Sequence, residues 1–448
     1  MRGGIRISHE KTPILLKSAL IGVVAGGFST LYRMLLSAAE TLCFTIYDFV
    51  RGHLVYLPVL LAGLALAGLV LGWAVKRFPL ISGSGIPQVK AILAGYLKDR
   101  WYTTLLCKFA GGALAILSGL SLGREGPSIQ IGACVADGIG RRISRSQTER
   151  KVLIAGGASA GLAAAFNAPL AGVLFAFEEI FQYLSPVMLL ATSISAVASD
   201  YVSRLILGTA PIFRMPLEET LPLSAYWTLL VLGGFLGLAG ALYNFTLISV
   251  SREYKKRFKA RPLLRPVPIF LLTVIPGLCF PYILCGGHAA LTKLSVETGL
   301  LFLLALLVLK FLFSVVSFAS GVPGGIFFPL LIIGALLGGV FAKIAALLPG
   351  VDNELFLNFV ILSMAGFFAA VVRAPITGVV LLSEMTGSLT HMLSLALVSI
   401  IAYAVADAMR STPVYISLME DLVPEATKGK GAKGLILFEE LHRFFDKD

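Results

Sequence analysis

The sequence predicts an all-α polytopic membrane protein made of two inverted-topology repeats with broken and re-entrant helices. Three observations support this fold class. The chain is 57% hydrophobic and 14% charged, with a mean hydropathy of +0.87, whereas soluble domains are about 25% charged. Apolar runs long enough to cross a bilayer recur along the chain. Glycine- and proline-rich motifs interrupt these runs and recur at a similar spacing in both halves.

The charge distribution predicts the topology. The net charge is +12, and the basic residues are concentrated in short loops between apolar runs. This pattern is the cytoplasmic-side bias of membrane proteins and does not indicate nucleic-acid binding. The first apolar run, about 13–36, follows a basic start without a small-residue cleavage site, so we interpret it as a retained helix. We expect a multi-pass protein of the cell (inner) membrane with cytoplasmic N- and C-termini.

The loop charges also divide the chain into five parts. These are a cytoplasmic N-terminal segment (1–12), membrane repeat 1 (13–250), a basic cytoplasmic connection (251–265), membrane repeat 2 (266–420) and a cytoplasmic tail (421–448). Within repeat 1, we expect residues 38–53 to form an outer loop and 54–75 to return across the bilayer. A second outer loop is predicted at Glu218 and Glu219.

A re-entrant element is predicted between two cytoplasmic basic pairs. About twenty residues separate Lys76-Arg77 from Lys98 and Arg100, and they contain the break Ser82–Pro87. Because both pairs favour the cytoplasm, the segment must enter the membrane and return on the same side. Non-helical backbone at that depth is tolerated only against protein or a wet cavity.

A second break, at residues 121–129, places Arg124 beside Glu125 between glycines, with apolar sequence on both sides. A charge at the centre of a membrane helix costs about 2.5–3.5 kcal/mol on insertion scales, so charges kept at this depth indicate a functional site. Pro127 is suited to the first position of a new helix. The free N–H groups and positive dipole end of such a helix favour an anion.

The second half of the sequence repeats the motifs of the first. The motif beginning at Asn167 and followed by Glu178 matches that beginning at Arg373 and followed by Glu384, at an offset of 206 residues. Residues 123–126 match 321–324 at an offset of 198. The flanking basic loops favour opposite orientations of the two copies, which places the substrate site at mid-membrane.

Three breaks of this kind can place several helix starts around one point. Backbone N–H groups then attract an anion without a fixed cation that would hold it too tightly for rapid release. The alternative is that the glycines only permit close helix packing.

Three motifs carry a resemblance to a known family. They are Gly83-Ser84-Gly85-Ile86-Pro87, Gly123-Arg124-Glu125-Gly126-Pro127 and Gly321-Val322-Pro323-Gly324-Gly325-Ile326-Phe327-Phe328-Pro329. In this order they resemble the signature motifs of the CLC family of chloride channels and transporters. Tyr415 falls where the family has its C-terminal pore tyrosine. The resemblance covers about residues 13–420 and implies a CLC-type fold.

The resemblance implies roles for the matching residues. The implied anion-binding residues are Ser84, Gly85, Ile326, Phe327 and Tyr415, with the Ser84 hydroxyl and the Tyr415 phenol forming an inner gate. Glu125 is implied to be the gating glutamate and outer proton site, which competes with chloride as a carboxylate. The alternative for Glu125 is a salt bridge with Arg124. In this family, a serine at the position of Ser84 is associated with a preference for chloride.

Glu179 bears on whether the protein is a channel or an exchanger. Glu178 has a repeat partner in Glu384, which indicates a structural role in both halves, whereas Glu179 is matched by Met385. An acid at the position of Glu179 resembles the inner proton-transfer site of CLC exchangers. We therefore predict a secondary active H⁺/Cl⁻ antiporter, with a passive CLC-type chloride channel as the alternative. A solvated charge at a helix end remains the other interpretation of Glu179.

Two interpretations of Lys108 also stay open. It is either a lysine that extends toward the Arg100 side of the membrane, or a buried charge that, with Arg124, supports the anion electrostatically. The five cysteines and five histidines have no metal-ligand spacing, so no metal and no cofactor is expected. No His shares an apolar run with a plausible nucleophile, which argues against an enzyme. The expected partners are chloride, protons, the lipid bilayer and a second copy of the chain, since the resemblance implies a homodimer with one pathway per subunit.

Overall fold

The structure is a computed structural model that describes residues 12–181, 185–213, 221–347 and 352–423. Within these ranges the chain is helical, and no β-strand is formed. Residues 1–11, the predicted loop at Glu218 and Glu219, and the tail from 424 onward lie outside the described residues.

The helices of the first half extend to residue 257. They are α1 (Thr12–Gly52), α2 (Leu57–Arg77), α3 (Ile86–Leu93), α4 (Trp101–Leu117), α5 (Glu125–Ile143), α6 (Gln147–Phe166), α7 (Pro169–Phe175), α8 (Pro186–Leu207) and α9 (Trp227–Arg257). Helix α7 continues into a π-helical turn at Ala176–Phe181.

The helices of the second half begin at residue 267. They are α10 (Val267–Leu272), α11 (Val274–Cys279), α12 (His288–Leu291), α13 (Leu300–Ala319), α14 (Phe327–Ala345), α15 (Phe356–Val372), α16 (Pro375–Thr386), α17 (Met392–Ala408) and α18 (Val414–Glu420). Seven helical segments of the described chain are long and apolar enough to cross a membrane.

Helix α1 corrects the expected outer loop at 38–53, because residues 38–52 are helical. The reason is a buried stripe that continues through this segment, with Leu36, Ala39, Cys43, Tyr47 and Val50 all buried. Their spacing of three and four residues is that of one helix face packed against protein. Helix α9 similarly extends through residues 251–257 of the basic connection.

The two halves contact each other reciprocally, as expected for repeats related by a two-fold axis. The Gly123 N–H donates to the Gly325 carbonyl over 2.6 Å, and the Gly325 N–H donates to the Gly123 carbonyl over 2.8 Å. Helices α4 and α13, and α5 and α14, are therefore related by an offset of 202 residues. The predicted match of Gly123 with Gly321 was wrong by four residues. Gly321 instead corresponds to Gly119, and both have positive φ angles, of 75° and 87°.

Two glutamates cap helices across the repeat boundary. The Glu178 carboxylate accepts hydrogen bonds from the Ile376 and Thr377 N–H groups over 3.1 and 2.6 Å, at the start of α16. The Glu384 carboxylate accepts from the Leu170 and Ala171 N–H groups over 3.0 and 2.8 Å, at the start of α7. The predicted structural role of Glu178 and its partner is thereby confirmed.

We expect Glu178→Ala and Glu384→Ala each to destabilise the protein by about 1–3 kcal/mol, because each leaves two helix-start N–H groups without an acceptor. The Glu178 variant should lose more, since its carboxylate also accepts from the Thr377 hydroxyl. Thermal unfolding in detergent measures both. Glu253→Ala is the control, because Glu253 is exposed and its carboxylate lies 3.8 Å from the Lys256 Nζ. Unfolding temperatures equal to that of the control would contradict the capping roles.

Candidate functional site

Three interrupted loops meet near the middle of the molecule. The Gly83 N–H donates to the Val322 carbonyl over 3.1 Å, and the Gly324 N–H donates to the Gly83 carbonyl over 3.0 Å. Together with the Gly123–Gly325 pair, these bonds hold the loops before α3, α5 and α14 side by side. The predicted breaks at 83–87, 123–127 and 321–329 are thus confirmed, and their helix starts converge.

The N-terminal residues of these helices match the sequence prediction with one correction. Gly85 precedes α3 with φ of 99°, a left-handed conformation that favours glycine. Helix α5 begins at Glu125, not at Pro127, which occupies the third position. Proline is tolerated there because the first-turn N–H groups have no partner within the helix. Glu125 itself therefore sits at the positive end of the α5 dipole.

Ser84 is packed directly against the start of α5. A Cβ added at Gly126 would lie 2.4 Å from the Ser84 Oγ and 2.8 Å from its carbonyl oxygen. Such contacts are too short, so the close approach of Ser84 requires glycine at position 126. The Ile86 N–H lies 3.4 Å from the Ser84 hydroxyl, a long hydrogen bond. This hydroxyl is buried just before the start of α3.

Tyr415 is fully buried near the start of α18. Its hydroxyl faces Ser84 and forms no hydrogen bond among the described groups. Its ring meets Phe175 edge-on at 6.4 Å between centroids, and Phe175 lies 5.8 Å from the Phe327 ring. Ser84, Tyr415 and Phe327 therefore surround one small region, although they come from distant parts of the chain.

Glu125 is 0% exposed. Its carboxylate faces the backbone N–H groups of Arg124 and Phe328, at the starts of α5 and α14. Neither oxygen forms a hydrogen bond with the residues that the structure describes, and the Arg124 Nε is 3.8 Å away, which is longer than a hydrogen bond. The carboxylate therefore occupies the positive ends of two helices and is held loosely there.

Glu179 lies on the π-helical turn that follows α7, is 2% exposed, and pairs with the Lys90 Nζ at 2.7 Å. The interpretation of Glu179 as a solvated helix-end charge was wrong. Sequence reasoning missed Lys90. The available signal was a lysine on the re-entrant helix α3, in the short segment between two cytoplasmic basic pairs.

Lys108 is fully buried, and its Nζ donates to the Ile81 and Gly83 carbonyls over 2.9 and 2.6 Å. The lysine therefore does not extend toward the Arg100 side, and that interpretation was wrong. These two hydrogen bonds fix the loop that ends at Ser84.

Lys310 makes the same contacts in the second repeat. Its Nζ donates to the Ile283 and Cys285 carbonyls over 2.9 and 3.0 Å, and the residue is fully buried. This reveals a fourth break, at 284–287, which sequence reasoning missed. The signal was the repeat of residues 78–81 (Phe-Pro-Leu-Ile) at 280–283 (Phe-Pro-Tyr-Ile), at the same offset of 202.

A cavity of about 90 Å³ on the side of the basic loops leads to Ser84. Three basic side chains line it, namely Arg252, Lys255 and Arg265. Arg265 donates to the Ala319 carbonyl over 2.7 Å, and Arg252 pairs with Asp421 at 3.0 Å. The positive lining attracts anions to the mouth that leads to the buried hydroxyl.

Comparison with known proteins identifies the family. Residues 67–407 match a family model described as the voltage gated chloride channel. The chain belongs to this CLC family. The CLC family consists of ion-transport proteins, and its membership together with the apolar helices makes the chain a multi-pass membrane protein.

Relatives within the CLC family are similar over nearly the whole chain. The H(+)/Cl(-) exchange transporter ClcA of Vibrio cholerae is 36% identical over 92% of this chain and 91% of its own length. The ClcA of Salmonella arizonae is 34% identical over 95% of this chain and 93% of its own. The crystal structure of a slow cyanobacterial Cl-/H+ antiporter matches with a TM-score of 0.85 and 28% identity, covering 94% of this chain and 98% of that one.

Proposed function

We propose that the chain is a secondary active antiporter that moves chloride across the membrane in exchange for protons. The observation that carries this proposal is the second buried carboxylate, Glu179, held beside Lys90 and apart from the helix starts around Ser84 and Glu125. A passive anion pathway has no use for it, and burying a carboxylate with its lysine partner carries a desolvation cost that the pairing need not offset. The similarity to ClcA exchangers supports the same function.

Chloride enters from the basic cavity and binds between the Ser84 hydroxyl and the Tyr415 phenol. The N–H groups of Ile326 and Phe327, and the Gly85 backbone, provide the remaining positive ends of helix dipoles. These partial charges stabilise the ion while allowing it to leave. The Glu125 carboxylate competes with chloride for the next position outward, where it faces the starts of α5 and α14. When Glu125 takes up a proton, it loses its attraction for these helix ends and admits the ion.

The proton follows a separate inner route. Glu179 exchanges protons with the basic-loop side, and Lys90 orients its carboxylate. The proton then passes between Glu179 and Glu125. Because chloride and proton both need Glu125, their movements are coupled. The channel alternative lacks this coupling.

Several features of the assembly are also part of the proposal. The basic loops lie on the cytoplasmic side of the cell (inner) membrane, with both termini inside, following the positive-inside rule. The protein acts as a homodimer with one independent pathway in each subunit. Protons and chloride are its transported ions, and neither a metal nor a cofactor takes part.

The decisive experiment uses the purified chain in liposomes that contain high chloride in a weakly buffered solution. Dilution into low chloride creates a gradient, and valinomycin with potassium sets the membrane voltage. The pH is equal on both sides at the start. An exchanger uses the chloride gradient to move protons and so builds up a pH difference, and a protonophore abolishes this signal. Chloride efflux without proton movement would instead establish the channel.

We expect Lys108→Met to weaken chloride binding about tenfold or less and to destabilise the protein, because it removes a buried charge and two hydrogen bonds beside Ser84. Isothermal titration with chloride and thermal unfolding measure the two effects. Lys310→Met is the matched control, since it removes the same contacts from the other repeat, away from Ser84. An equal loss of chloride affinity in both variants would show that Lys108 acts only through stability.

A further inference from the structure

Two adjoining cavities lie on the side of Glu125 that faces away from Ser84. One is a wide vestibule of about 830 Å³. The other is a chamber of about 20 Å³ that includes Glu125 in its lining, which is room for about one water molecule. Glu40, Arg124 and His288 line both cavities. These three residues form the neck between the vestibule and Glu125, so ions and protons that exchange with Glu125 from this side pass them.

The neck has a definite geometry. The His288 ring stacks on Phe328, with 4.1 Å between centroids and 23° between planes. The Phe328 N–H is one of the groups that the Glu125 carboxylate faces. The His288 Nδ1 is buried without a hydrogen-bond partner in the described chain and lies 3.9 Å from a Glu40 carboxylate oxygen. That distance is too long for a direct hydrogen bond and suits a bridge through one water.

Charged groups surround Glu40 in the neck. Five other titratable or charged groups face Glu40 and His288. They are Arg33 on α1, Arg124 and Glu125 at the start of α5, Cys285 in the fourth break and Lys310 on α13. Glu40 and Glu125 are the two carboxyl groups in the lining of the chamber. Both carboxyl groups line the chamber that has room for about one water, so a water in it can pass a proton between them.

We propose that Glu40 is the outer proton donor and acceptor for Glu125, with His288 holding the water that connects the neck to the vestibule. This inference rests on the proposed proton exchange. In the inward step, the protonated Glu40 gives its proton to the Glu125 carboxylate, and the Glu40 carboxylate then takes another from the vestibule. In the reverse step the same proton returns by the same route.

The fourth break gives this assignment a structural basis. His288 begins α12, the second-repeat counterpart of α3, and follows the glycines that correspond to the Gly83–Gly85 segment. Lys310 clamps this loop as Lys108 clamps the other. Because the repeat is inverted, the Ser84 loop lies at the cavity on the side of the basic loops, and the His288 loop lies at the neck on the opposite side. The same architecture presents a hydroxyl to the anion on one side and an imidazole to the proton path on the other.

The test is the pH dependence of chloride flux in liposomes with equal pH on both sides. We expect Glu40→Gln to shift the midpoint of the profile by about 0.5–1 pH unit toward acid, because removing a neighbouring carboxylate makes Glu125 harder to protonate. Asp48→Asn is the matched control. It removes the same charge from the same helix, but Asp48 is 64% exposed and pairs with Arg51, so its profile should coincide with that of the unmodified protein. Glu40→Asp keeps the carboxyl group, so its midpoint should lie close to that of the unmodified protein.

A second variant tests the neck without changing its charge. His288→Phe keeps a ring on Phe328 but has no nitrogen for the bridging water, and we expect proton flux to fall about threefold with the midpoint unchanged. Size-exclusion elution and thermal unfolding establish that each variant is folded. If Glu40→Gln misfolds, His288→Phe still decides.

The outcomes separate this inference from the proposed function. A Glu40→Gln profile that coincides with that of the unmodified protein, or a fully active His288→Phe, would overturn the role of the neck. Unmodified protein that moves chloride without protons would overturn antiport instead. The midpoint shift in chloride flux still reports on Glu40 in that case, since it depends only on protonation of Glu125.

Discussion

Glu125→Gln is expected to abolish proton movement while chloride continues to cross the membrane at a rate independent of pH. Glutamine has nearly the shape of the protonated carboxyl group but cannot bind and release the transported proton. It also carries no negative charge to hold it at the starts of α5 and α14, where the Glu125 carboxylate faces the Arg124 and Phe328 N–H groups. The variant therefore resembles a permanently open outer gate, and the coupling between the two ions is lost.

The measurement is uphill proton movement driven by a chloride gradient, recorded together with chloride efflux from the same liposomes. Proton movement should fall to the level of protein-free liposomes. Glu384→Gln is the control, because it also alters a carboxyl group at a helix start, but one that caps α7. We expect that variant to be less stable and still coupled. Residual uphill proton transport by Glu125→Gln would place the outer proton site on another residue.

The sequence predicted the parts of the site that depend on local backbone chemistry. Glycine beside a charged or hydroxyl residue within an apolar run indicates a break, and the structure has these breaks at Ser84 and Glu125. The cap formed by Glu178 was also predictable, because it has a partner at the same place in the second repeat. Such features are properties of short segments and of their repetition.

Features that depend on packing were not predictable in the same way. The pairing of Lys90 with Glu179 joins residues on separate helices and leaves no pattern at a fixed spacing. Helix α1 continues through residues 38–52 because one face packs against protein, although Glu40 and Asp48 suggested a loop. The register error of four residues arose because Gly119 and Gly123 both have glycine counterparts in the second repeat. The reciprocal bonds of Gly123 and Gly325 resolve that choice.

The second large effect is expected for Glu179→Gln, which should also stop proton transport but for a different reason. This variant keeps the outer carboxylate, so chloride flux should retain its dependence on pH, unlike that of Glu125→Gln. Chloride is expected to move through the cavity that leads to Ser84, and Glu179 is not among the residues that line this cavity. A Glu179→Gln protein that still transports protons uphill would show that this residue is not the inner proton-transfer site.

Lys90 provides a further test, because it distinguishes a proton site from a structural ion pair. Lys90→Met leaves the Glu179 carboxyl buried without its partner at 2.7 Å. Breaking one side of a buried pair costs about 3–5 kcal/mol, whereas replacing both sides is often close to neutral. The double variant Lys90→Met with Glu179→Gln should therefore recover thermal stability relative to Lys90→Met alone and remain unable to move protons. If stability and proton transport were both recovered, the pair would be structural, and the inner proton route would have to begin at another residue.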